Sequence, residues 1–100
     1  MQSCMVIEVV QGEGGLNTIS NWAMKELRRI TLERGIPLVV DEIQTGFCRT
    51  GTFSSCCLLS CSFQMCCPGQ MFSFQHSGVT PDVVVLSKAI GGSQPLACVV

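Results

Sequence analysis

Val39-Val40-Asp41-Glu42-Ile43-Gln44-Thr45-Gly46 and Asp82-Val83-Val84-Val85-Leu86-Ser87-Lys88-Ala89 each run an apolar stretch straight into ionisable groups. Val83-Val84-Val85 is apolar at consecutive positions, as a strand covered on both faces would be. Ile36 to Asp41 is a second such run, entered through Pro37. Upstream, Met5 to Val10 is a short β-rich run closed by the glycine-dense Gln11-Gly12-Glu13-Gly14-Gly15. From about Thr18 to Arg34, Ile19, Trp22, Ala23, Leu27 and Ile30 recur at spacings of three and four, opposite Lys25, Glu26, Arg28, Arg29 and Glu33. That period predicts an amphipathic helix, stopped by Gly35. Strand, helix, strand predicts a parallel pair with a right-handed crossover. Asp82 to Leu86 is then a third strand, and Pro95 to Val100, beyond the Gly91-Gly92-Ser93 turn, a fourth. The expected class is α/β with a mostly parallel sheet.

With 47% hydrophobic and 13% charged residues, the chain has ample material for a core and would leave apolar faces uncovered if nothing else packed on them. One hundred residues suit a small domain, but these elements look like the middle of a larger sheet, so a fragment is expected. A net charge of −1 gives no pull toward nucleic acid or anionic lipid. Met1 to Glu8 carries no signal-peptide pattern, and no apolar run approaches the roughly 20 residues that span a bilayer. A soluble protein of the cytoplasm is expected, with the mitochondrion left open.

Five of the eight cysteines, Cys56, Cys57, Cys61, Cys66 and Cys67, crowd between Thr52 and Gly69. A disulfide framework would spread them through the fold. Their spacing also matches zinc-ligand pairs poorly, and His76 lies well outside, so no metal site is expected.

Ligands of open α/β sheets sit beyond the carboxyl ends of the strands, where Gln11 to Glu13, Asp41 to Gln44 and Ser87-Lys88 fall. An aspartate there can hold a proton on a heteroaromatic nitrogen, and a nearby lysine can form an imine with an aldehyde. Those are the two demands of pyridoxal phosphate. The bland reading is a strand-end turn residue and a solvated lysine.

The wording of the segments goes further. Ile7-Glu8-Val9-Val10-Gln11-Gly12-Glu13-Gly14-Gly15, Leu38 to Gly51, Met71 to Asp82 and Leu86-Ser87-Lys88-Ala89-Ile90-Gly91-Gly92 closely resemble, in order, the class III aminotransferases that act on ornithine, 4-aminobutyrate and diaminobutyrate. The resemblance implies the central part of the large domain of a fold-type I enzyme dependent on pyridoxal 5'-phosphate. It implies Lys88 as the Schiff-base lysine and proton carrier, and Asp41 as the partner of the pyridine nitrogen. Gln44 would hydrogen-bond on the ring-hydroxyl side, Ile43 would pack on the ring face, and Glu8 would pair with a substrate-side arginine absent from this chain. The implied reaction moves an amino group from an ω-amino or diamino acid to a 2-oxo acid, in a homodimer, with these 100 residues inactive alone. The Leu-Ser-Lys-Ala-Ile-Gly-Gly and Gln-Gly-Glu-Gly-Gly wording leans toward the diaminobutyrate branch.

Two departures stand out: Cys48 where glycine is usual, and Thr52 to Gly69, which has no counterpart in the family and no periodicity. Without those 18 residues the separation of Asp41 and Lys88 falls from 47 positions to 29, the spacing of the family. The codons of Gly51 and Gly69 can hold GT and AG splice edges that regenerate one glycine in frame, so a translated, retained intron fits the segment. Against the enzyme reading stand a Cys-rich metal-binding or interaction module on an α/β scaffold, and a cofactor-free remnant. An aminomutase or racemase is a further option within the enzyme class.

Overall fold

The computed structural model describes residues 3–47, 49–50, 70–92 and 94–100. The Cys-rich segment 52–69 and Cys48 lie outside the described residues.

Strands β1 (Met5–Glu8) and β4 (Leu38–Asp41) pair in parallel, Met5 opposite Leu38 through Glu8 opposite Asp41. Strand β5 (Val83–Leu86) joins β4 in parallel, and β6 (Cys98–Val99) closes this sheet antiparallel to β5, giving the order β1-β4-β5-β6. The class is α/β with a mostly parallel sheet, as the sequence predicts.

The run predicted as one strand from Met5 to Val10 breaks at Val9. Its carbonyl turns to accept from Ile19 N–H, and a small antiparallel hairpin of β2 (Val10–Gln11) and β3 (Asn17–Thr18) follows. Leu16 closes the tip in the left-handed region at φ 58°, its N–H bonded to Gln11 O at 2.9 Å. Thr18 therefore belongs to the hairpin, and helix α1 (Asn21–Arg34) starts later than the periodicity suggests. Ser20 caps it, its side chain accepting from Ala23 N–H. At the other end Gly35 sits at φ 62°, and the Gly35 and Ile36 N–H groups return to Leu32 and Thr31, which is a Schellman closure.

The inward stripe of α1 is rotated from the predicted one. Met24 and Thr31 are fully buried, Leu27 and Ile30 half so, and Trp22 is 76% exposed. A polar clamp explains the rotation. Arg28, assigned by periodicity to the outer face, reaches the sheet and grips Asp82 with two bonds of 2.5 and 3.0 Å, while Asp82 Oδ2 also accepts from Leu38 N–H at 2.8 Å. One carboxylate thus fixes helix, β4 and the start of β5. Thr31 is buried at no polar cost because its hydroxyl donates to Arg28 O.

The core of Met24, Leu38, Val40 and Val79, flanked by Met5, Ile7, Val9, Ile19 and Phe74, lies on the helix side of the sheet. Side chains alternate across a strand, so Val6, Glu8, Val39, Asp41 and Val85 take the opposite face. That face is open at its margins, with Val6 62% and Val99 68% exposed.

The clamp makes stability depend on acid. The Arg28 guanidinium, helped by the Leu38 N–H, holds the Asp82 carboxyl below the usual carboxylate range. A depressed carboxyl contributes stability above its unfolded pKa of about 3.9 and loses it as pH falls through the folded value. Thermal melts of the chain should therefore show a fall in melting temperature below about pH 4 that Asp82→Asn flattens. An unchanged acid limb in that variant would assign the acid sensitivity to another group.

Candidate functional site

Parallel pairing brings the carboxyl ends of β1, β4 and β5 to one edge, with Glu8 opposite Asp41 and Asp41 opposite Val85. Half-buried Asp41 closes β4 by accepting the Ile43 N–H on Oδ1 at 2.9 Å, an Asx turn that swings the chain off the sheet. Among the described residues its second carboxylate oxygen takes no hydrogen bond, so an acceptor is left over at the strand end. The next residue turns the other way. Glu42, 1% exposed, continues the ladder through its N–H to Val85 O and accepts from the Thr45 hydroxyl, the Ser73 hydroxyl and the Phe74 N–H.

Beyond β5, Lys88 opens a 3₁₀ turn (Lys88–Gly91) in the left-handed region at φ 49°, an unusual place for a residue with a side chain. The preceding Ser87 donates from its hydroxyl to Leu96 O at 3.0 Å and ties this corner to the segment before β6. Lys88 is exposed and joins none of the ion pairs among the described residues.

Ile43, Gln44, Arg49 and Lys88 line one cleft of about 300 Å³, at the lower end of the usual range for small-ligand pockets. Three of the five residues singled out from sequence thus meet, and Asp41 stands at the root of the turn that carries two of them. Glu8 is different. It lines a separate recess of about 230 Å³ with Ile7, Gln11, Asn17, Thr18 and Ile19. From the glycine-rich loop Glu13 meets Gln44, its Oε1 accepting from Gln44 Nε2 at 3.3 Å.

The apolar Ile43, one amide and two cations fit an anionic, aldehyde-bearing aromatic ring, so the donor set suits pyridoxal phosphate. Among the described residues no group of three His, Cys, Asp or Glu side chains could hold a metal, and the five clustered cysteines lie outside them. Nor is any described helix long and apolar enough to cross a membrane.

Arg49 and Glu42 carry no signal of their own in the sequence, where Arg49 is only part of the Leu38 to Gly51 wording. Burial of Glu42 depends on Ser73, 31 positions away, and no local period carries that information.

Comparison with known proteins bears on the same segments. The family described as Aminotransferase class-III matches residues 2–62. A diaminobutyrate–2-oxoglutarate aminotransferase of Rhizobium meliloti is 43% identical over 98 residues, which is 98% of this chain and 17% of that protein. Its counterpart in Haemophilus influenzae is 38% identical over 95 residues, 95% of this chain and again 17% of the relative. Among solved structures, an ornithine aminotransferase from Plasmodium yoelii superposes with a TM-score of 0.76 at 28% identity, covering 97% of this chain and 21% of that one. The chain thus spans about a fifth of the length of the relatives it matches.

Gly12 offers a direct probe of how Gln44 is held. A Cβ there would lie 1.9 Å from Gln44 Oε1, the far end of a flexible side chain. Gly12→Ala should therefore move the Gln44 amide while changing stability by less than about 0.5 kcal/mol. The side-chain amide resonance of Gln44 and a urea titration check this together; a large loss of stability with an unmoved resonance would contradict it.

Proposed function

Because the chain belongs to the class-III aminotransferase family, we propose that its cleft at the carboxyl ends of β4 and β5 is the ring-side half of a pyridoxal 5'-phosphate site serving transamination. The observation that carries this is the convergence of Lys88, Gln44 and Ile43 on one cleft, with Asp41 at its root. When bound, the cofactor supplies an aldehyde carbon and an electron-withdrawing ring that makes a proton beside the amino nitrogen removable. Lys88 Nζ would hold the cofactor at that aldehyde carbon and would be the group that carries the exchanged proton.

Asp41 would hold the proton on the ring nitrogen with its carboxylate, through the acceptor left open by the Ile43 bond. Gln44 would hydrogen-bond the ring on its hydroxyl side, and Ile43 would pack on one ring face. The left-handed backbone at Lys88 aims the side chain off the end of β5, a strained conformation of the sort retained at functional sites. Glu8 serves on the substrate side, at the mouth of its own recess. The amino donor is of the diamino or ω-amino class, the type named for the relatives, and the acceptor is a 2-oxo acid. Turnover belongs to the homodimer of the full-length enzyme, in the cytoplasm or the mitochondrion, and these 100 residues alone are inactive.

Residues 52–69 are, on this reading, an insertion into that domain. Thr50 Oγ1 lies 3.3 Å from His76 Nε2, and the Phe47 and Phe72 rings meet edge to face at 6.0 Å, so the described residues on either side are held together. Removing the 18 residues should leave cofactor attachment intact, and transcripts lacking their codons should be found.

The chain has only two lysines, Lys25 and Lys88. Incubation with pyridoxal phosphate and borohydride reduction should place the pyridoxyl group on Lys88, located by peptide mass mapping, and Lys88→Ala should abolish it. Preferential labelling of Lys25 would overturn the assignment. In the full-length enzyme, Asp41→Asn should lower turnover by about 10²–10³-fold, the scale seen when one preorganised electrostatic partner is lost.

A further inference from the structure

We propose that Glu42 is the positioning residue of the cleft: its buried carboxylate holds the Ile43-Gln44 turn in register with Lys88. The inference rests on the cofactor reading above and adds a role for a residue that touches neither the cleft nor a ligand.

Consecutive residues at a strand end face opposite ways, so while Asp41 serves the open side of the sheet, Glu42 points into the protein. A carboxylate 1% exposed is costly unless its oxygens are bonded, and here three donors converge on it. Ser73 Oγ donates at 2.5 Å and Phe74 N–H at 2.9 Å, both to Oε1, and the Thr45 hydroxyl donates to Oε2. Ser73 Oγ and Thr45 Oγ1 lie 3.1 Å apart, so the two hydroxyls sit against each other as well as against the acid. Bonds to a charged acceptor are short and directional, which suits a clamp better than a filler.

The clamp has two jaws. Thr45 lies within the turn that carries Ile43 and Gln44, while Ser73 and Phe74 open the 3₁₀ helix Ser73–Ser77. A second contact joins the same jaws, since Phe72 stacks on Phe74 at 5.5 Å and meets Phe47 edge to face. The turn is also pressed onto β5. Gly46 N–H bonds Glu42 O at 2.9 Å, and a Cβ on Gly46 would meet that carbonyl at 2.9 Å and Leu86 Cδ2 at 3.5 Å. Leu86 is buried and stands two residues before Lys88. Glu42 thus sets where Gln44 and Ile43 stand relative to the lysine, through a path of packed and bonded atoms.

The test uses the chain itself, with pyridoxal phosphate as the probe. Labelling at Lys88 relative to Lys25 is measured for the unaltered chain, Glu42→Gln, Glu42→Ala and Ser73→Ala, at a temperature where melts show each folded, and the Gln44 side-chain amide resonance is recorded. Glutamine keeps an oxygen to accept from Phe74 N–H and the Ser73 hydroxyl, and the Thr45 hydroxyl beside the other position can reverse to accept from its amide, so Glu42→Gln should hold the ratio within about two-fold. Glu42→Ala strands three buried donors and should lower the ratio about ten-fold, the scale of one lost buried hydrogen bond, with the Gln44 resonance shifted or broadened. If Glu42→Ala does not fold, Ser73→Ala decides: a lowered ratio supports the clamp, and an unchanged ratio with an unmoved Gln44 resonance overturns it. A folded Glu42→Ala chain that labels Lys88 normally overturns the positioning role and leaves the cofactor reading standing. An unaltered chain with no preference for Lys88 overturns both.

Discussion

Parallel pairing of β4 with β5, Val39 on Val83 through Asp41 on Val85, is the constraint on which the rest depends. Parallel strands end on the same side, so the pairing alone brings an aspartate at residue 41 and a lysine at residue 88 to one edge. Everything else refines that approach. The Arg28–Asp82 clamp locks the amino ends of the two strands beneath the helix, and the Glu42 bonds tie the turn that follows β4 to the 3₁₀ helix Ser73–Ser77. A charged or polar anchor sits at each end of the strand pair, and an apolar core of Met24, Leu38, Val40 and Val79 packs on the helix side.

The two anchors differ in what they meet. Asp82 is partly exposed and paired with a full opposite charge, so solvent and acid both act on it. Glu42 is buried and bonded only to neutral donors, which places its work in geometry. The described residues on either side of residues 51–69 are joined by Glu42, the phenylalanine cluster and the Thr50–His76 contact.

Features with a local period or local wording were legible in the sequence. Parallel β1, β4 and β5, the helix with its Gly35 stop, and the placing of Lys88, Gln44 and Ile43 at strand ends all follow from patterns within a few residues. What escaped depends on distant partners. The break at Val9 exists because Ile19 N–H takes its carbonyl, and the rotation of α1 exists because Arg28 finds Asp82 54 positions away. Period alone places Trp22 on the core stripe, and it lies outside the core for the same reason. The contact of Glu13 with Gln44 depends on how the glycine-rich tip folds, which no local period carries.

The central claim is that Asp41 and Lys88 serve one ring from two adjacent strands. Reduced attachment of pyridoxal phosphate labelled with ¹⁵N in the ring, followed by NMR of the bound nitrogen, tests it most directly. The account predicts a protonated ring nitrogen at neutral pH on Lys88 of the unaltered chain and an unprotonated one in Asp41→Asn. A ring nitrogen whose shift and pH dependence are the same in both would contradict it.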